Sequence, residues 1–264
     1  MSRSLVTYVP PWLLLFGLIV VIAGGAILIQ RYVRGRYPAL SADDNNDVIK
    51  FAHGFIGFVY AFFVGFVVSA MWGQINTADA NAHAEGAAAV QLARDSVVFE
   101  ATDTDRLKHA LSAYAHAAVT EWSQAGDAHC AEADRALATP YTAYQGVQPK
   151  TDMQKGFLAT SLSNLDKTGQ ARTARILTAR ADTGPPWELW AVIFLTSGSV
   201  LGTAIIYGVD KPVLHYPMVA VVGVIVATNL FLILELAHPY VGEISTSSDS
   251  PQEAIAALSQ PAPQ

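Results

Sequence analysis

The residues of this chain that could do chemistry are few, and their spacing limits them sharply. His109 and His116 share a helical face, yet two turns of helix hold them about 10 Å apart, too far to bind one ion. Asp105 with His109 has a suitable spacing but supplies only two ligands. His129 and Cys130 are adjacent and so point to different faces. Cys130 is the only cysteine, which rules out an internal disulfide and argues against a zinc–thiolate site. An intermolecular disulfide through Cys130 stays open in an oxidising compartment. There is no phosphate-cradling glycine loop, no nucleophile elbow and no H-E-x-x-H run. The residues therefore predict no enzyme, no cofactor and no metal.

Three other groups carry more information. Glu85 sits on the stripe Ile75, Ala78, Ala82, Glu85, Ala89, Leu92, Ser96, Phe99, whose 3-4 spacing marks one buried face of a helix. An unpaired carboxylate there would be costly, so Glu85 calls for a cation from another helix, with Arg172 or Arg175 as candidates. Arg94 lies roughly 13 Å further along the same helix and cannot reach. A structural ion pair is a better reading of these residues than catalysis. Asn229, Glu235 and His53 fall within or beside apolar runs, where polar groups often mark a pathway. Their plainer reading is a hydrated carboxylate and an interfacial histidine near the membrane surface. Finally, Gly57, Ala61, Gly65, Ser69 and Gly73 recur every fourth residue, a ridge that lets helices approach closely in lipid. Packing within the chain is the default for such a ridge; a subunit contact or a pore wall is the alternative. Gly198 and Gly202 form a shorter version.

The elements that hold these residues follow from the distribution of charge. Only 14% of the 264 residues are charged, well below the quarter expected of a soluble domain. The shortage is local: 12–30, 51–73, 189–209 and 213–234 hold almost no charge, and roughly 20 apolar residues suffice to span a bilayer. The first run is followed, not preceded, by its arginines and has no small-residue cleavage site, so it reads as an uncleaved anchor. The expected architecture is an all-α integral membrane protein in which two pairs of transmembrane helices flank an extramembrane helical domain. Its parts are 1–73 (the first pair), 74–186 (the helical domain), 187–240 (the second pair) and 241–264 (a mobile tail).

Within 74–186 the spacing predicts that the second spanning helix continues outward. A second helix follows, with Leu107, Leu111, Tyr114, Ala118 and Trp122 on one face. A third is expected over 128–138, ending near Pro140, and a fourth over 151–180 with a break at Gly169. Only a short turn is expected in the tail, near 254–258.

Arg31, Arg34, Arg36, Lys50 and Lys211 lie in the two short connections, against Arg3 alone in the short amino-terminal segment. The positive-inside rule then puts both termini and the helical domain outside the cytoplasm, in a plasma-membrane protein. Trp12, Trp72, Trp187 and Trp190 fall together at one interface, with Tyr32 and Tyr207 at the other. With a net charge of −6 and no basic face, a nucleic-acid partner is not expected.

The segment 83–99 with Glu85 and Arg94, Tyr114, Glu121-Trp122, and Arg175 ahead of Trp187 and Trp190 together resemble the bestrophin-like family, also called the DUF4239 family. Most specific is the corner Glu235, Ala237, His238, Pro239, Tyr240, Gly242. The family there reads L-D-x-D-R/H-P-F-x-G, so one acidic position is occupied here by Ala237. The resemblance covers most of the chain after the first helix. It implies likeness to bestrophins, oligomeric anion channels with a cytoplasmic helical domain, opposite to the orientation the charge count favours. It also points to Phe55, Phe58, Phe62 and Phe66 as the place to seek the aromatics of a pore, the alternative being an ordinary lipid- or helix-facing surface, which shows the same residues. The leading expectation is a homo-oligomeric, channel-like or transport-related assembly in the lipid bilayer, with a path along the second helix. The alternative is a non-catalytic accessory or scaffold subunit that docks a membrane-complex partner through its helical domain.

Overall fold

A computed structural model of the chain describes residues 2–37, 46–123, 131–180, 184–207, 212–247 and 249–259. Among these residues the secondary structure is helical, with no strand. Cys130, His129 and Lys211 lie outside them. The elements are α1 (Ser2–Tyr8), α2 (Pro11–Arg36), α3 (Asn46–Asp95) with a 3-10 turn at Ser96–Val98, and α4 (Ala101–Ser123). They continue with α5 (Ala131–Gln145), α6 (Asp152–Arg180), α7 (Trp187–Ile206), α8 (Pro212–Leu236) and α9 (Asp249–Ser259). Four helices, namely α2, α3, α7 and α8, are long and apolar enough to cross a membrane.

The chain divides into two compact units. The spanning unit is Met1–Gln74, Thr183–His238 and Gly242–Ile244. Proline sets two of its helix starts: Pro11 opens α2 where its missing N–H costs nothing, and Pro186 precedes α7. The tightest seam runs between α2 and α8. A Cβ on Gly223 would lie 2.7 Å from the Cα of Ala23, so only glycine lets these backbones come so close. Ala26, Val219, Ala204 and Ile205 continue the contact among α2, α7 and α8.

The small-residue ridge of α3 is not used in this way. A Cβ on Gly57, Gly65 or Gly73 would meet nothing within 4 Å, and the same holds at Gly198 and Gly202. Packing within the chain is therefore not what these ridges do. α3 turns Tyr60, Val64, Val67 and Met71 inward instead, because those larger side chains bury more apolar area than glycines would.

The helical unit is Ile75–Asp182, Pro239–Val241 and Ser245–Gln264. Every residue of the 75–99 stripe is buried, as is the predicted face of α4 from Leu107 to Trp122. Leu92, Phe99, Leu107, Leu111, Tyr144 and Leu165 form its core. Three details differ from the sequence expectation. α5 runs through Pro140 to Gln145, because Tyr144 beyond the proline is fully buried and meets Phe99 edge-on at 6.4 Å. That burial offsets the roughly 3 kcal/mol an interior proline costs. α6 passes Gly169 unbroken, and the glycine instead admits Tyr141 and Leu137 of α5. Within the expected tail, residues 249–259 form a helix. α9 buries Ser250, Pro251 and Ala254, and Ser250 packs so closely on Gly86 that a Cβ there would come within 2.5 Å.

Candidate functional site

The charged groups of the helical unit converge from three helices. Glu85 on α3, Glu121 on α4, and Arg172 and Arg175 on α6 are all buried. Arg172 and Arg175, three positions apart, share one side of their helix. Arg175 donates from Nε to Glu85 Oε2 at 2.9 Å and from Nη2 to Glu121 Oε2 at 3.0 Å. Arg172 grips Glu121 with a fork, Nη2 to Oε1 at 2.6 Å and Nε to Oε2 at 3.0 Å. Its third donor reaches the partly buried Asp134 at 2.7 Å. The hydroxyl of Tyr114 donates to Glu85 Oε1 at 2.9 Å.

Two guanidiniums thus neutralise two buried carboxylates, and Asp134 closes the rim. Of the two arginines offered by the sequence, Arg175 takes Glu85 while Arg172 goes to Glu121 and Asp134. Glu121 was the partner missed. Its signal was its place beside Trp122 and three positions after Ala118, both on the predicted face of α4.

Aromatic rings complete the cluster. The Arg175 guanidinium lies 4.6 Å over the Trp122 ring, a cation–π contact, and Tyr240 meets Trp122 edge-on at 5.9 Å. Burial lifts the Tyr114 phenol well above its ordinary range, and the Glu85 carboxylate lifts it further. Burial opposes the charge on Arg175, yet the carboxylates of Glu85 and Glu121 hold its pKa above the ordinary value. Burial likewise pushes Tyr240 up to about 12. All four oxygens of Glu85 and Glu121 accept hydrogen bonds from Tyr114, Arg172 or Arg175. The cluster ties helices together.

The spanning unit treats its polar residues differently. His53 on α3 and Thr203 on α7 are hydrogen-bonded, Nδ1 to Oγ1, at 2.9 Å. Asn229 on α8 donates to the Tyr60 hydroxyl on α3 at 3.3 Å. His215 accepts from Arg34 at Nδ1, 3.2 Å, and donates from Nε2 to the Ala204 carbonyl at 3.0 Å, a pattern that assigns the neutral Nε2–H tautomer.

Glu235 is not the hydrated interfacial group expected from its place in the sequence, for it is only 1% exposed. Its carboxylate faces the turn at Gly242, which has φ +99°. A Cβ on Gly242 would lie 2.8 Å from both Glu235 Oε2 and Val6 Cγ1. That turn accounts for the glycine of the corner motif. Neither carboxylate oxygen of Glu235 has a hydrogen-bond partner among the described residues. His238, Pro239 and Tyr240 are buried, Tyr240 within the helical unit. Glu235 is buried, whereas His53 and Asn229 are half-buried.

What the span of α3 leaves uncovered is the opposite face. Phe51, Phe55, Phe58, Phe62 and Phe66 are exposed, and Ala61, Gly65, Ser69 and Gly73 are exposed beside them. At 100° per residue the phenylalanines form one stripe pointing directly away from Tyr60, Val64, Val67 and Met71.

A family model described as the bestrophin-like domain matches residues 17–250. Among solved structures, a point mutant of a bacterial bestrophin homologue from Klebsiella pneumoniae aligns with a TM-score of 0.70 at 12% identity, covering 92% of this chain and 98% of that one. A second mutant of that homologue gives 0.70 at 13%, covering 92% and 97%. A crystal structure of a membrane protein gives 0.69 at 12%, covering 93% and 99%. At such identities the likeness speaks to the fold alone. A search among curated proteins finds no match.

Proposed function

The chain belongs to the bestrophin-like family of channel-like membrane proteins, and from that premise we propose that it works as a non-catalytic homo-oligomer with a path along the outward face of α3. The observation that carries this reading is the uncovered phenylalanine stripe of a spanning helix with a smooth edge of small residues beside it. In a ring of copies, the small edge allows neighbouring α3 helices to approach, while the stripe turns toward the shared axis. Phe55, Phe58, Phe62 and Phe66 then form stacked apolar constrictions of the kind that gate by dewetting. The polar residues His53 and Asn229 hold α3 against α7 and α8, and so fix the angle of the stripe.

Two measurements test it. Native mass spectrometry of the detergent-solubilised protein should give a closed oligomer, and proteoliposomes should pass a small ion at a rate that Phe62→Ala raises. A monomer, or vesicles as tight as empty ones, would refute the channel reading. A tight monomer that retains a second membrane protein would favour the scaffold role instead.

The plasma membrane is the proposed location. On orientation, the charge of the short connections favours an external helical unit, and the resemblance to bestrophin channels a cytoplasmic one. A cysteine at exposed Lys150 in a Cys130→Ser background decides. Labelling by an impermeant maleimide in intact cells means outside, and labelling only after lysis means inside.

A further inference from the structure

The arginines that close the apolar run of α2 do not all face the same way. Arg34 is half-buried and donates to His215 Nδ1 on α8 at 3.2 Å. Arg31 and Arg36 are exposed. At 100° per residue, Arg36 falls in line with Val21, Gly25, Leu28, Ile29 and Tyr32, all within an arc of about 100°. That arc lies away from Ala23, Ala26 and Gln30, the residues that α2 buries. Arg31 stands outside it, about 140° around the helix from Arg36. Val21, Leu28, Ile29 and Tyr32 are all exposed. Gly25 interrupts them, and a Cβ there would meet nothing within 4 Å, so the stripe has a shallow notch between Val21 and Ile29.

Along this face the chemistry changes in order, from aliphatic side chains to a phenol to a guanidinium. The Arg36 guanidinium lies 5.6 Å over the ring of Tyr37, which is also exposed. From Val21 to Arg36 the helix rises about 22 Å at 1.5 Å per residue. One leaflet, half of a bilayer with its headgroups, is about 20–22 Å thick. The stripe therefore has the length and the order of polarity of one phospholipid. Its rings lie where aromatic side chains favour the headgroup level, and a guanidinium pairs with phosphate through parallel hydrogen bonds. A zwitterionic headgroup brings its own cation to the phosphate, so an anionic lipid gains more from Arg36. We propose that the outward face of α2 binds one anionic phospholipid, with an acyl chain in the notch at Gly25 and the phosphate on Arg36.

The test titrates the full-length protein in detergent with phosphatidylglycerol or phosphatidylcholine of the same acyl chains, read by native mass spectrometry. Phosphatidylglycerol should bind at a concentration several-fold below that needed for phosphatidylcholine. Arg36→Gln should remove most of this preference, while Arg31→Gln, outside the arc, should keep it. Diffuse attraction to a basic rim would make the two substitutions equal, and that result would overturn the proposal. Equal binding of the two lipids by the unaltered chain would overturn it as well. Gly25→Leu fills the notch and should weaken both lipids several-fold; unchanged binding would overturn the placement of the chain. In thermal unfolding, phosphatidylglycerol should raise the melting temperature of the unaltered chain and hardly that of Arg36→Gln. An equal rise with inorganic phosphate alone would overturn the lipid assignment in favour of a free anion.

Discussion

The two units of this protein face the same difficulty, buried polar groups, and meet it with different chemistry. In the helical unit the burden is ionic: two arginines against Glu85 and Glu121, with Asp134 at the rim. In the spanning unit the pairs are mostly neutral, His53 with Thr203, Asn229 with Tyr60, and a His215 tautomer that accepts from Arg34 at the end of α2; the Glu235 carboxylate, buried at the end of α8, is the exception. The difference follows from the solvent in which each was assembled. A charge in hydrocarbon is costly even when paired, so the spans use groups that lose less by leaving water. Outside the bilayer, charges can be brought together from water, and their pairing then fixes which helices pack together. The contrast predicts a graded response to mutation, steep in the helical unit and shallow in the spans.

The steepest effect belongs to Arg175→Met. Among the described residues it strips Glu85 of its only cationic partner and Glu121 of one of two, and breaking a buried pair from one side costs about 3–5 kcal/mol. Denaturant unfolding followed by tryptophan fluorescence should show this loss. The double variant Glu85→Gln, Arg175→Gln should recover much of it, since no charge is then stranded. If Arg175→Met costs no more than a substitution in the spans, the contrast between units fails. Tyr114→Phe comes next. It removes one hydrogen bond to the Glu85 carboxylate while leaving Arg175 in place, worth about 1.5–3 kcal/mol. The same unfolding curve measures it.

Gly223→Ala tests the spanning unit by packing instead of polarity. A methyl 2.7 Å from the Ala23 backbone must push α2 from α8, and overpacking of this kind costs about 1–3 kcal/mol. Gly65→Ala is its control, because a Cβ there meets nothing within the chain. It should leave the single chain's stability alone and weaken association of copies, read as a lower oligomer fraction in native mass spectra. An effect of Gly65→Ala on thermal stability at concentrations where the chain is monomeric would show that the ridge packs internally after all.

How far this was legible in the sequence depended on whether a residue's role is set by its own helix or by a neighbour. The stripe from Ile75 to Phe99 and the face from Leu107 to Trp122 could be read directly, because 3-4 spacing states which side of a helix is buried. That Glu85 needs a cation could be read too. That Glu121 would share the arginines could not, since this depends on the angle between α4 and α6. The ridge on α3 misled for a related reason. Spacing shows that Gly57, Gly65 and Gly73 are aligned, not which surface they meet, while the close contact between α2 and α8 came from Gly223 and Ala23, which belong to no ridge. Pro140 and Gly169 looked like helix ends because local propensity is a weak prior against burial of Tyr144 and close approach of Tyr141. The burial of Asp95 at the end of α3 gave no signal, as an acidic residue near a helix end ordinarily faces water.

The smallest predicted effect is the sharpest test of the contrast. Tyr60→Phe deletes the hydroxyl that accepts from Asn229 but leaves the ring buried between α3 and the other spans. In water such a loss would strand a buried amide at a cost of about 1–3 kcal/mol. Within a membrane the unfolded helices also find partners for their polar groups, and measured hydrogen bonds there average about 0.6 kcal/mol. The melting temperature of Tyr60→Phe should therefore fall by no more than a degree or two. A loss as large as that of Tyr114→Phe would mean that Asn229 and Tyr60 carry more than a neutral pair, and would restore a pathway role to this seam. A loss near the small value supports a division of labour, in which the spans set the angle of the phenylalanine stripe cheaply and the helical unit supplies the rigidity.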